Sequence, residues 1–258
     1  MFRKRRPEAA SPMQALIVGL GNPGRQYAAT RHNVGYRVVE LVAEKWGLRL
    51  RRSRFRGRLA LGQVAGVRVG LLQPTTFMNN SGQSVAPTAR YYRVPPERIL
   101  VISDDVHLKL GRLRLRRGGS AGGHGGLASV IRELGSSDSP RLRVGVAGPG
   151  AEVDRIDYML GRFRAEEVAP AVLAVRRAAE AVEVWLGEGL EAAANRFNAP
   201  LELTQQQGQQ HGAQRQPVDD KGPEGTGAQP VQQEGDSGRS TQGGGGNAQR
   251  EGEDEAGR

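Results

Sequence analysis

A chain of 258 residues with no cysteine has room for one large domain or two small ones, and it excludes disulfides, thiolate metal sites, iron–sulfur clusters and cysteine nucleophiles. No apolar run approaches the roughly 18 residues that span a bilayer, and the basic stretch Arg3–Arg6 leads into no apolar signal core, so a cytoplasmic protein is expected. The net charge of +10 points to polyanionic partners, nucleic acid first among them.

Residues 1–12 carry no structural pattern and read as a disordered basic extension; Met13 stands directly before the first strand-like run and is a second possible start. Ala15–Leu20 is a short continuous apolar run, a buried strand. His32 to Trp46 follows helical spacing, with Val34, Val38, Leu41, Val42 and Trp46 on one stripe. Arg58–Val64 and Val67–Leu72 alternate around Ala65-Gly66 and predict a hairpin. Ser81–Arg93 predicts a helix that Pro87 should kink or delay. Ile99–Ser103 is a second buried strand, and Gly111–Arg116 alternates like an edge strand. A short helix over Leu127–Leu134, a strand over Leu142–Ala147 and helices over Glu166–Leu186 and Leu190–Phe197 complete the body. Strands alternating with helices predict a single α/β domain over 13–199, a twisted sheet with helices on both faces, which the hairpin makes mixed.

From Leu201 the composition changes to 13 Gly, 12 Gln and only four large aliphatics in 58 positions, too little apolar area to offset ordering, so 200–258 is expected to be a disordered tail. The charge divides at the same place. Residues 1–200 hold 32 Lys and Arg against 17 Asp and Glu, whereas the last 58 hold 5 against 10. Of the 37 basic residues 33 are arginine, which suits forked contacts to phosphate. Codon bias in a GC-rich genome is the competing explanation.

Two motifs carry chemistry in other settings. Gly19-Leu20-Gly21-Asn22-Pro23-Gly24 matches the dinucleotide fingerprint, but Asn22-Pro23-Gly24 is turn chemistry, the next helix starts some ten residues on, and Glu40 and Glu44 lie inside it. A nucleotide cofactor is therefore not expected. Gly118-Gly119-Ser120-Ala121-Gly122 matches the nucleophile elbow, yet the histidines beyond it are His124, four residues on, and His211 in the tail. Six glycines in Gly118–Gly126 fit a loop whose backbone comes close to a ligand. No histidine–carboxylate spacing signals a metal site. His32, Asn22, Asn79, Asn80, Asp104 and Asp105 remain as polar groups at strand and loop ends, where open α/β sheets bind ligands. A His–Asp pair with asparagines is the minimum for a general base, its orienting carboxylate and neutral oxyanion donors.

These residues carry a family resemblance. Leu16 to Gly24, Tyr27, Thr30-Arg31-His32-Asn33-Val34-Gly35, Pro74 to Asn79, Ser81-Gly82, Ser103-Asp104-Asp105, Gly118 to Leu127, Arg141 to Gly145 and Asn195-Arg196-Phe197 resemble bacterial peptidyl-tRNA hydrolase, in order and spacing, across 14–197. The resemblance implies a monomeric α/β enzyme that hydrolyses the ester between a peptide and the terminal ribose of tRNA, with peptidyl-tRNA as partner and no cofactor. It implies His32 as the base that deprotonates water, Asp104 as the acid holding its basic form, and Asn22 as the asparagine that tells N-blocked aminoacyl-tRNA from free aminoacyl-tRNA. Tyr27, Phe77 and Asn79 match positions at the tRNA end and peptide, with Met78 lining the cleft. Arg141, Arg143 and Arg117 are candidates for gripping phosphates. One departure stands out: the family usually has asparagine where this chain has Gly125, and a lost donor there leaves open an RNA-binding protein with reduced or lost hydrolysis. His107 also stands where a carboxylate is common. A serine hydrolase built on Ser120 is the third reading.

Overall fold

The computed structural model describes residues 12–149 and 155–199; the expected N-terminal extension, save Pro12, and the expected tail lie outside the described residues. Strands Ala15–Gly19 (β1), Arg51–Ser53 (β2), Gly57–Val64 (β3), Val67–Pro74 (β4), Ile99–Lys109 (β5), Leu113–Arg116 (β6) and Arg141–Ala147 (β7) form one sheet in the order β2-β3-β4-β1-β5-β7-β6. The four strands β4, β1, β5 and β7 run parallel. The β2–β3–β4 ribbon and the edge strand β6 pair antiparallel, so the sheet is mixed. Helices Val34–Lys45 (α1), Gly82–Tyr92 (α2), Gly125–Leu134 (α3), Arg155–Leu160 (α4), Ala165–Glu188 (α5) and Leu190–Phe197 (α6) complete the described fold.

Every residue of β1 is buried, and its pleat sends alternate side chains into two cores. Ile17 joins Val38 and Val42 of α1 and Val182 of α5 on one face. Leu16 and Val18 join Val85 of α2 and Val130 of α3 on the other. A strand covered on both faces has no polar side, which is why this stretch reads as a continuous apolar run.

The first glycine of the dinucleotide-like motif has a packing role. A Cβ on Gly19 would lie 2.2 Å from the Gly35 carbonyl oxygen, and one on Gly35 would lie 2.6 Å from the carbonyls of Leu20 and Ile102. The glycine pair lets α1 cross β1 at backbone contact. Because α1 begins only at Val34, no helix N-terminus opens at Gly21.

Four local expectations need correction. β5 runs on to Lys109, so Asp104 and Asp105 lie within a strand and not after one; the two carboxylates break the apolar run that marked its end. β2 has the sequence Arg-Arg-Ser and no apolar alternation to reveal it. The short helix α4 was not expected at all. Pro87 sits inside α2, which starts on time at Gly82; the Thr88 hydroxyl donates to the Ser84 carbonyl beside the N–H that proline lacks.

Candidate active site

β1 ends at Gly19, opposite Ile102, and β5 continues past it. At this edge β4 lies on one side of β1 and β5 on the other, the switch point at which parallel sheets open a crevice. A cleft of about 650 Å³ lies there, within the range of small-molecule sites. His32 enters from the short 3₁₀ turn Arg31–Asn33 ahead of α1, Asp104 from β5, and Gly122 to Gly125 from the glycine loop that leads into α3.

The carboxylate of Asp104 is the centre of the site. His32 Nδ1 lies 2.9 Å from both of its oxygens, and His124 Nε2 lies 3.0 Å from Oδ1. His124 Nδ1 accepts from the amides of Gly126 and Leu127, at 3.1 and 3.3 Å, and so caps α3. That acceptor role places the His124 proton on Nε2, where it is donated to Asp104. Nδ1 of His32 likewise faces an acceptor and carries its proton, leaving Nε2 as the lone-pair nitrogen in a side chain that lines the cleft. Burial pushes the Asp104 carboxyl up; the neighbouring His124 and the hydrogen bonds from both rings more than offset this and hold it below the usual carboxylate range. The site therefore keeps a buried anion, charged at neutral pH, behind a basic imidazole.

His32, Asp104 and His124 also form a three-donor group whose ligand atoms lie within 4.8 Å of one another, a set that sequence spacing does not reveal. Each histidine already spends a nitrogen on Asp104, and both nitrogens of His124 are engaged. A metal ion would have to displace those hydrogen bonds, so the donors fit a charge-held imidazole better than a metal centre.

Asn22 is buried, and its Oδ1 accepts from the Met78 amide at 2.8 Å, leaving the Nδ2 donors for a ligand in the cleft it lines. Its backbone is clasped by Asn33, which accepts from the Asn22 N–H and donates to the Asn22 carbonyl. Phe77, Met78 and Asn79 line the same cleft, as does Gly125. Tyr27 does not; it is half-buried in the turn before His32, where its carbonyl accepts from Thr30.

The arginines divide. Arg143 reaches the cleft, but its Nη2 lies 2.8 Å from Asp105 Oδ2, so it is paired and not a free phosphate clamp. Arg141 is buried and donates to the carbonyls of Gly119 and Ser120, which makes it a brace for the glycine loop instead of a phosphate ligand. Arg117 is exposed. Ser120 is exposed and is not among the residues lining the cleft that holds His32, which removes the geometric basis for a nucleophile elbow.

Two functional groups escaped sequence reasoning. The first is His124, legible only as a residue just ahead of a helix. The second is Arg31. Its guanidinium donates to the carbonyls of Tyr158 and Arg162, pairs with buried Glu167 of α5 and lies 4.1 Å from the centre of the Tyr158 ring. It thus ties the turn carrying His32 to α4, whose Ile156, Met159 and Leu160 form the apolar wall of the cleft. Arg31→Ala leaves the buried Glu167 carboxylate with the Arg164 N–H but no counter-charge, and should cost about 3–5 kcal/mol. A thermal melt checks this; a change within about 1 °C would contradict the role given to Arg31.

Comparison with known proteins agrees with this geometry. Residues 16–207 match the family model described as peptidyl-tRNA hydrolase. A peptidyl-tRNA hydrolase of Chloroflexus aggregans is 51% identical over 186 residues, 71% of this chain and 98% of the relative. One from Symbiobacterium thermophilum is 50% identical over 189 residues, 72% of this chain and all of the relative. The crystal structure of peptidyl-tRNA hydrolase from Acinetobacter baumannii superposes with a TM-score of 0.69 at 38% identity, covering 74% of this chain and 98% of that one.

Proposed function

The chain belongs to the peptidyl-tRNA hydrolase family and is an esterase of peptidyl-tRNA, and from that premise we propose that His32, oriented by Asp104, draws the proton from the attacking water. The observation that carries this reading is the Nδ1 contact of His32 with a carboxylate held charged in the interior. Water bound at Nε2 loses a proton as its oxygen attacks the ester carbonyl. The imidazolium so formed is stabilised by Asp104, and it returns the proton to the departing ribose oxygen. The tetrahedral oxyanion takes hydrogen bonds from Asn22 Nδ2 and from Asn79. One of the two Nδ2 hydrogens of Asn22 serves that oxyanion and the other meets the blocked amino group's carbonyl, which supports a preference for N-blocked substrates. His124 is a positioning residue: it holds Asp104 and spans from it to the start of α3. With Arg143 held by Asp105, the exposed Arg117 is left to meet the phosphates of the tRNA end, and the enzyme acts as a monomer in the cytoplasm. Among the described residues no helix is long and apolar enough to cross a membrane.

The RNA-binding alternative is not favoured, since the relatives at about half identity are hydrolases. Gly125 remains an instructive departure. A Cβ there would meet only the Cβ of Asn79, at 3.9 Å, and the backbone is not in the left-handed region, so an asparagine fits. Gly125→Asn should raise kcat on N-blocked aminoacyl-tRNA by at least about tenfold if a donor at that position serves the transition state. An unchanged kcat would mean that Asn79, alongside, already supplies the contact.

A further inference from the structure

The longest acid-free stretch of the sequence lies between Glu44 and Glu97. Residues 45–96 hold nine arginines and one lysine but no Asp or Glu. At the density of the body, 17 acids in 200 residues, about four would be expected there. Codon bias replaces lysine by arginine; it does not remove carboxylates. The deficit therefore describes a surface.

The fold gathers that surface at one end of the sheet. β2 is the edge strand, and Arg51 and Arg52 on it are exposed. The turn into β3 carries Arg54 and Arg56, both exposed, and meets the C-terminal turn of α2. Phe55, Tyr91 and Tyr92 form a three-ring cluster there, with centroids 5.3 Å apart for Phe55–Tyr91, 6.1 Å for Phe55–Tyr92 and 4.9 Å for Tyr91–Tyr92. The Arg54 guanidinium lies 4.1 Å from the Tyr91 centroid and 5.0 Å from that of Phe55. Among the described residues, none of these four arginines takes part in an ion pair, whereas Arg31, Arg58 and Arg143 all do. Exposed charge on an edge strand guards against strand addition. That need is met by Arg51 and Arg52 alone and explains neither the stacked Arg54 nor the missing carboxylates along α2.

We propose that this arginine–aromatic face is a second RNA-docking surface, which holds the phosphate backbone of the substrate tRNA at a distance from the ester. None of its residues lines the catalytic cleft. It begins next to the cleft: the Thr75 amide donates to the Arg56 carbonyl at 2.7 Å, and two residues on, Phe77 stands in the cleft wall. A nucleic acid whose 3′ end occupies the cleft reaches this face past Phe77 and Thr75. Unpaired, guanidinium-rich charge over aromatic rings is the chemistry that takes up phosphates and releases counterions. The inference rests on the hydrolase reading for the identity of the RNA.

The test is the triple variant Arg51→Gln, Arg52→Gln, Arg54→Gln, in the full chain. On full-length peptidyl-tRNA its KM should rise at least about tenfold at moderate salt, with kcat unchanged. The salt slope of binding should fall by up to about three. On an N-blocked aminoacyl ester of a CCA trinucleotide, too short to reach this face, kcat/KM should stay within about twofold of the unaltered chain. Filter retention of deacylated tRNA gives the same affinity loss without any chemistry, so a failure of this proposal is separable from a failure of the hydrolase reading. The Arg51→Gln, Arg52→Gln pair, which leaves the ring cluster intact, guards against misfolding and should show part of the effect; lysine at all three positions should restore most of it. Unchanged tRNA affinity, equal losses on the trinucleotide ester, or binding to phosphatidylglycerol vesicles with no effect on tRNA would each overturn the proposal.

Discussion

Replacing His32 by alanine should lower kcat/KM on N-blocked aminoacyl-tRNA by about 10³ to 10⁴, equivalent to about 4–5.5 kcal/mol of transition-state stabilisation. Affinity for deacylated tRNA should stay within about twofold, because the imidazole contributes a lone pair and little binding surface. The fold has small exposure to this change: the histidine side chain hydrogen-bonds Asp104 and lies beside the His124 ring, and the turn around it is kept by Thr30, Asn33 and Arg31. Single-turnover release of free tRNA, measured beside filter binding, separates lost chemistry from lost binding. Hydrolysis at the wild-type rate by this variant would remove His32 from the mechanism.

Asp104→Asn should cost nearly as much, about 10³-fold or more, for a different reason. Two imidazole N–H groups converge on this carboxylate, from His32 Nδ1 and His124 Nε2. A carboxamide has one oxygen and one NH₂, so it must present donors to one of the rings. His124 cannot change tautomer without losing its cap on Gly126 and Leu127, so His32 is the ring that rotates or flips, and its lone pair leaves the cleft. The charge that would steady the imidazolium disappears as well. Linkage adds a signature in stability. The folded carboxyl sits below the usual range, so its stabilising contribution is complete above the unfolded value and is lost as pH falls through the folded one. The difference in melting between wild type and Asp104→Asn should therefore be full above about pH 5 and shrink only in strong acid. A difference that grew on acidification would contradict the assignment of Asp104 as a held anion.

Much of the site is legible in the sequence because its residues sit in blocks. Asn22, His32, Met78, Asn79 and Asp104 do meet in one cleft, although they come from segments more than 80 positions apart. Period and turn chemistry also give the order of β1, α1, the β3–β4 hairpin and the closing helices. What sequence pattern misses has physical causes. A bracing arginine and a free one look the same in one dimension: Arg141 holds Gly119 and Ser120 and Arg143 pairs with Asp105, contacts that no spacing announces. His124 draws its role from a contact with Asp104 across 20 positions and from the helix amides beside it, neither of which has a periodic signature. Arg31 acts on groups about 130 positions away. β2 is three polar residues on an edge, paired by the backbone alone, so no apolar pattern announces it.

The most direct measurement is single-turnover hydrolysis of an N-acetylaminoacyl-tRNA by the unaltered chain in the presence of a metal chelator, run beside the same tRNA with a free amino group. Activation of water by the histidine at 32 predicts complete release of free tRNA from the blocked substrate, with the unblocked one scarcely touched. Retention of the intact ester, or release that the chelator abolishes, would contradict it.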